Sequence, residues 1–180
     1  MVDFSAARLN MVDSQVRTND VTDLHVQDAM RVIPRESLLP PGKAYLAYAD
    51  AEVRYAPGRA LLAPRDVAKL LHALAIAPGQ KALAIAAPYG AAVLEHARLS
   101  VERLDGEDLS APKPGAYDVI ICEGAVARTP DAWTSALAPG GRLAVIERMG
   151  PVGKGLPRRE IFDATPSYLG GFEPEQGFAF

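Results

Sequence analysis

The sequence predicts an α/β fold built on a mainly parallel sheet, and three observations predict it. Short apolar runs at Lys81 to Ala86, Tyr117 to Cys122 (YDVIIC) and Gly141 to Ile146 (GRLAVI) have the composition of strands covered on both faces. Helix-forming windows separate them, at Gly90 to Ala97 and Pro130 to Leu137. Alternating strands and helices return each strand parallel to the last, with helices over the sheet. A chain of 180 residues, 49% apolar and 23% charged, is sized for one core. A single domain is therefore expected, with residues 1–60 as an N-terminal flank and residues 61–180 as the sheet-bearing core.

The flank begins with helices. Leu9, Val12 and Val16 form a thin apolar stripe, with Arg8, Asp13 and Arg17 expected on the opposite face. Val26, Ala29, Met30 and Ile33 fall at helical spacing after Thr22, a residue able to cap orphan amides, and Pro34 ends that helix. Between Leu39 and Arg59, Pro, Gly and Tyr punctuate short extended pieces, which suits an irregular or hairpin segment. Pro64 then suits the first turn of a helix that presents Val67, Leu70, Leu71 and Leu74 on one face and stops near Ala77-Pro78-Gly79. Leu99 to Leu104 is a further strand. The tail from Arg159 to Phe180 places aromatic residues around Gly170-Gly171 and reads as a closing antiparallel hairpin, preceded by a Pro/Gly-rich loop from Gly150 to Pro157.

Composition narrows the partners. The net charge is −3 and the Lys and Arg residues are scattered, so no basic stripe is available for a phosphate backbone. Nucleic acid is not an expected partner. No run approaches the ~20 apolar residues that span a bilayer, and the N-terminus lacks the apolar stretch of a signal peptide. The single cysteine, Cys122, has no second cysteine to pair with. A cytoplasmic protein is expected, with neither membrane nor metal as a partner.

Several segments together resemble the protein-L-isoaspartate O-methyltransferase family. They are AMRVIPRESLLP, AYLAYAD, the helix after APRD, YDVIICEGAV, ALAPGGRLAVIER and the terminal FDATPSYLGGFEP. The most specific are MRVIPRE and, at the right distance, AYADAEV. The resemblance implies a Rossmann-like sheet of the S-adenosylmethionine methyltransferase type. Its first strand-to-helix turn would hold the cofactor, and the reaction would transfer a methyl group to the carboxylate of an isoaspartyl residue.

The chain departs from the family where the cofactor belongs. The family has an acidic residue in the first strand and a glycine-rich turn after it; here Ala84 stands for the acid, Ala86 and Pro88 replace two glycines, and only Gly90 remains. Such turns use glycine because the ligand approaches the backbone closely and some residues need positive φ, while proline also removes an amide donor. The Tyr89 ring is expected to fill the space itself. Only about ten residues separate Gly90 from the strand at Leu99. The family has a strand and helix there, so one βα unit is missing, and the sheet should shrink to about six strands with Leu99 to Leu104 beside the first. Of the remaining acids, Glu102 and Asp105 are the candidates for a substitute ribose contact, against the alternative of ordinary solvated charge. Leu62 occupies the place of a hydroxyl residue in the family's substrate loop.

Other chemistry is sparse. His25, His72 and His96 lack partners at metal-ligand spacing, and Cys122 reads as a small buried hydrophobe without an activating neighbour. Glu123 ends an apolar strand, where carboxyl ends line the ligand crevice of parallel sheets, so it is either a site residue or a solvated strand end. Arg35 and Glu36 are expected to pair and fix the flank. The degenerate cofactor site thus comprises Ala86, Pro88, Tyr89, Gly90, Asp105 and Glu123, with no catalytic residue assigned. The reading that follows is a member of the family with lost or weakened cofactor binding, acting by binding another protein or itself. The alternatives are an active S-adenosylmethionine-dependent carboxyl methyltransferase and a small-ligand protein using the strand-end crevice.

Overall fold

The computed structural model describes residues 3–106, 108–112, 116–148 and 159–175. Helix α1 (Phe4–Met11) starts at Asp3, whose carboxylate accepts the Ala6 amide at 3.0 Å. The chain continues through a π-helical turn, Val12–Val16, which shifts the helical phase. Met11, Val12 and Val16 are buried while Leu9 is left 50% exposed, and Arg8 turns inward instead of facing solvent. The cap of α2 (Leu24–Val32) is Asp23 rather than Thr22, because its carboxylate reaches the second and third amides of the helix, those of His25 and Val26.

Residues 39–62 form 3-10 turns followed by an antiparallel ribbon of β1 (Val53–Ala56) and β2 (Arg59–Leu61). Helix α3 (Pro64–Ala73) follows with proline in its first turn and Val67, Leu70 and Leu71 buried, as the apolar stripe predicts. The central sheet is built from β3 (Lys81–Ile85), β4 (Ser100–Leu104), β5 (Tyr117–Val126) and β6 (Leu137–Glu147). Helix α4 (Pro88–His96) links β3 to β4, and the short α5 (Asp131–Ser135) precedes β6. The strand order is β4-β3-β5-β6 with every pair parallel. The expected parallel sheet is present, and β4 lies directly beside β3 as the missing unit requires. Among the described residues, however, the sheet has four strands rather than about six, and the other two strands belong to the separate ribbon.

The tail accounts for part of that difference. β3 ends at Ile85, paired with Cys122, whereas β5 runs on to Val126 and leaves its edge open at Ala125. Residues 167–169 fill that edge through a single parallel bridge between Tyr168 and Ala125, with the Leu169 amide donating to Ala125 O at 2.7 Å. No closing hairpin forms among the described residues of the tail, since Pro166 precedes the bridge and Gly170-Gly171 turns the chain away just after it. The loop from Gly150 to Pro157 and the end of the tail lie outside the described residues.

Two cores flank the sheet. Val119, Ile121 and Ala125 face the layer of α3, α4 and the N-terminal flank. Ile120, Cys122 and Val126 face Trp133, whose indole donates to Leu109 O at 2.7 Å and packs on Phe172 at 5.2 Å. The first layer matters for function, because it brings residues 24–48 over the carboxyl ends of β3 and β5. Gly58 ties the ribbon to the tail: its φ is +63, and a Cβ there would sit 2.8 Å from the Gly170 backbone. Gly58→Ala should therefore cost more than about 1 kcal/mol in urea denaturation, since both φ and close contact oppose a side chain. A cost below about 0.5 kcal/mol, the range of surface changes away from such features, would contradict the docking of the tail on the ribbon.

Candidate functional site

The turn after β3 keeps the backbone of a glycine-rich loop without the glycines. Ala86 has φ 45, a left-handed conformation that costs a residue with a Cβ about 1–2 kcal/mol. Ala87 is the N-cap of α4 and offers no side-chain acceptor, and Pro88 at the first helical position has no amide to give. The first amides left to satisfy are those of Tyr89 and Gly90.

Glu123 satisfies one of them. β5 pairs with β6 in unbroken register from Val119 to Ile121, then shifts register before Ala125, and a local irregularity of this kind re-aims side chains. Glu123 is fully buried there, and its Oε1 accepts the Gly90 amide at 2.5 Å. The solvated reading of this strand-end acid is thus overturned. Burial pushes its carboxyl above the usual carboxylate range, opposed by Arg35 and by the backbone amides of Gly90, Leu62 and Tyr89. The space beyond Gly90 is taken, since a Cβ on it would meet Ile121 Cδ1 at 3.1 Å and Glu123 Oε1 at 3.3 Å.

Tyr89 is also fully buried, and the Arg35 guanidinium lies 4.8 Å from its ring centroid. Arg35 itself is wholly buried; its Nε donates to Ala47 O at 2.7 Å and its Nη2 donates to Leu62 O. Burial lowers its pKa, with Glu123 the foremost charge acting in the other direction. Arg35 Nη1, the Tyr89 hydroxyl and Glu123 Oε2 have no hydrogen-bond partner among the described residues. The expected Arg35–Glu36 pair is not what forms. Glu36 instead binds Arg8 at 3.1 Å and accepts from the Tyr48 hydroxyl, while Arg35 points into the core toward Tyr89. The reason is geometric: both lie in one 3-10 turn, Arg35–Leu38, whose successive residues face different ways.

The other candidates are more dispersed. Asp105 is exposed in the loop after β4, close enough to Tyr55 to help burial and Glu123 raise that phenol to about 12. Glu102 accepts from the Tyr117 hydroxyl at 2.8 Å and lies within β4. Leu62 is buried and contributes its carbonyl to Arg35. Cys122 is buried and burial pushes its thiol up, which leaves it unreactive. Among the described residues no cluster of His, Cys, Asp or Glu could hold a metal, and no helix is long and apolar enough to cross a membrane. A crevice of about 220 Å³ opens at the end of β5, lined by Arg54, Arg59, Leu62, Glu123, Ser167 and Glu173 among others. Sequence reasoning missed Arg35 as a site residue. The only available signal was its position in the segment MRVIPRE, since nothing in its local pattern marks a buried cation.

A parallel sheet with a cofactor-type turn at the end of its central strand, under a helical flank, defines a Rossmann-like methyltransferase fold. Residues 7–97 match the family model for protein-L-isoaspartate(D-aspartate) O-methyltransferase, and the chain belongs to that family. The protein-L-isoaspartate O-methyltransferase of Methylorubrum populi is 31% identical, with 82% of each chain covered. That of Methylorubrum extorquens is 29% identical over 84% of this chain and 77% of its own. Among solved structures, a putative protein-L-isoaspartate O-methyltransferase from Plasmodium falciparum, in complex with S-adenosyl-L-homocysteine, shares the fold. It superposes with TM-score 0.68 at 15% identity, covering 90% of this chain and 97% of that one.

The raised Glu123 carboxyl has a thermodynamic consequence. The folded state holds this proton more tightly than the unfolded chain, so the contribution is full below the unfolded pKa and is lost as pH rises through the folded value. Melting temperature should therefore fall as pH rises from the ordinary carboxylate range, and this part of the slope should vanish in Glu123→Gln, measured by thermal melts at closely spaced pH.

Proposed function

We propose that this chain is a non-catalytic member of the isoaspartyl methyltransferase family that does not hold S-adenosylmethionine at its strand-end turn and acts by binding another protein. The observation that carries this reading is Tyr89, wholly buried within the turn where a ligand would have to enter. The residues around it do not fit the cofactor. Pro88 offers no amide, Ala84 replaces the strand acid, Asp105 is an exposed loop residue, and Gly90 already donates to Glu123. Each lost buried hydrogen bond is worth about 1–3 kcal/mol, and several together take a micromolar affinity beyond millimolar.

The partner face in this reading is the N-terminal flank. Of the large hydrophobics exposed among the described residues, Leu9, Leu24, Val32 and Tyr45 lie within residues 9–45 at 50%, 67%, 53% and 66% exposure, and Ile161 lies in the tail. The sheet edge bared by the missing unit is polar by contrast, since Arg103 on β4 pairs with Glu95 at 3.0 Å. Charges on an edge strand discourage pairing with another chain. A second reading, a small-ligand protein, is favoured by the crevice at the end of β5, where among the described residues the Arg54 and Arg59 guanidiniums hydrogen-bond to neutral groups, Ser167 Oγ and the carbonyls of Gly58 and Gly106.

Calorimetric titration with S-adenosylmethionine and S-adenosyl-L-homocysteine tests the leading reading. No heat up to millimolar ligand is expected. Micromolar binding would overturn it and restore the active carboxyl methyltransferase as the function, to be checked by methylation of an isoaspartyl peptide.

A further inference from the structure

The α4 N-terminus carries unusual local needs: an alanine N-cap without an acceptor, a proline at the first position, and free amides at the second and third. A helix start of this kind favours a negative or accepting group at its second or third amide. That group comes from 33 residues further along the chain, as the carboxyl of Glu123 on β5, fully buried and 2.5 Å from the Gly90 amide. Burying a carboxyl is costly unless a cation answers it. The cation brought into the same layer is Arg35, carried in by the flank, itself fully buried and lying over the Tyr89 ring without forming an ion pair to Glu123. Three residues from three separate segments therefore meet in one layer across the turn.

We infer that the strand-end turn is closed by an internal occupant: the Glu123 carboxyl serves as the turn's own acceptor ligand, and Arg35 seals Tyr89 and Glu123 beneath the flank. The inference rests on the proposed function and names what closes the site. Affinity for an adenosyl ligand is excluded by occupancy, not only by the loss of glycines. A ligand entering the turn must displace Glu123 from Gly90 and so break the hydrogen bond that satisfies that amide. Glu123 and Arg35 are positioning residues here, and neither is assigned a reaction.

Two measurements on the full chain test this. Amide hydrogen exchange of Gly90, followed by NMR, should quicken at least tenfold in Glu123→Ala and stay near the wild-type rate in Glu123→Gln, which keeps an accepting oxygen. Calorimetry with S-adenosyl-L-homocysteine should show no binding to wild type. Unchanged Gly90 exchange in Glu123→Ala would overturn the inference, as would exchange in Glu123→Gln as fast as in Glu123→Ala. Binding by the wild type would instead sink the non-catalytic reading itself, so the two failures are distinguishable.

Discussion

A guanidinium with no exposure to solvent sits between the N-terminal flank and the sheet, and the arrangement around it follows from how it is satisfied. Arg35 holds the carbonyls of Ala47 and Leu62, covers the Tyr89 ring and faces the charge of Glu123. Each contact comes from a different part of the chain. An isolated buried cation of this kind would cost several kcal/mol, so the flank, the loop before α3, the turn after β3 and the irregular part of β5 are all constrained to supply its partners. Such a layer is a poor source of net stability, because desolvation offsets the attraction, but it specifies one arrangement of the flank over the sheet.

The same layer lies where the fold would otherwise receive a ligand. Carboxyl ends of strands in parallel sheets are where such folds bind small molecules, because the helix that follows presents free amides there. In this chain those ends are filled by a tyrosine ring and a carboxyl, and the smaller crevice beside them is bounded by the ribbon and the tail. Among the described residues the sheet has four strands, and its β4 edge is blunted by charge. The fold rests on its two cores, while the strand ends are occupied by the chain's own Tyr89 and Glu123.

Much of the fold was legible in the sequence, for identifiable reasons. The runs at Lys81, Tyr117 and Gly141 are apolar on both faces, which leaves a covered parallel strand as their natural place, and the short spacing between Gly90 and Leu99 allows β4 no position except beside β3. The buried ring of Tyr89 is what the reading of the degenerate turn expects, whereas the left-handed φ of Ala86 was not assigned to that residue by the sequence. What was not legible depends on distant contacts. The π-turn after α1 moves Arg8 inward and Leu9 outward, and no local pattern announces it. The tail pairs with β5 because β3 is shorter, a matter of relative strand length. Glu123 and Arg35 are polar residues in local settings that suit solvent, and only the register shift in β5 and the turn at Arg35–Leu38 bring them into one buried layer.

If Arg35 and Glu123 act on each other through this layer, a double-mutant cycle reads the coupling. Unfolding free energies of wild type, Arg35→Met, Glu123→Gln and the double variant isolate the interaction if each substitution removes it without adding a new one. A coupling of about 1 kcal/mol or more is expected, with the double variant less impaired than the sum of the singles. Additivity within about 0.3–0.5 kcal/mol would mean that the two residues are merely neighbours and would contradict it.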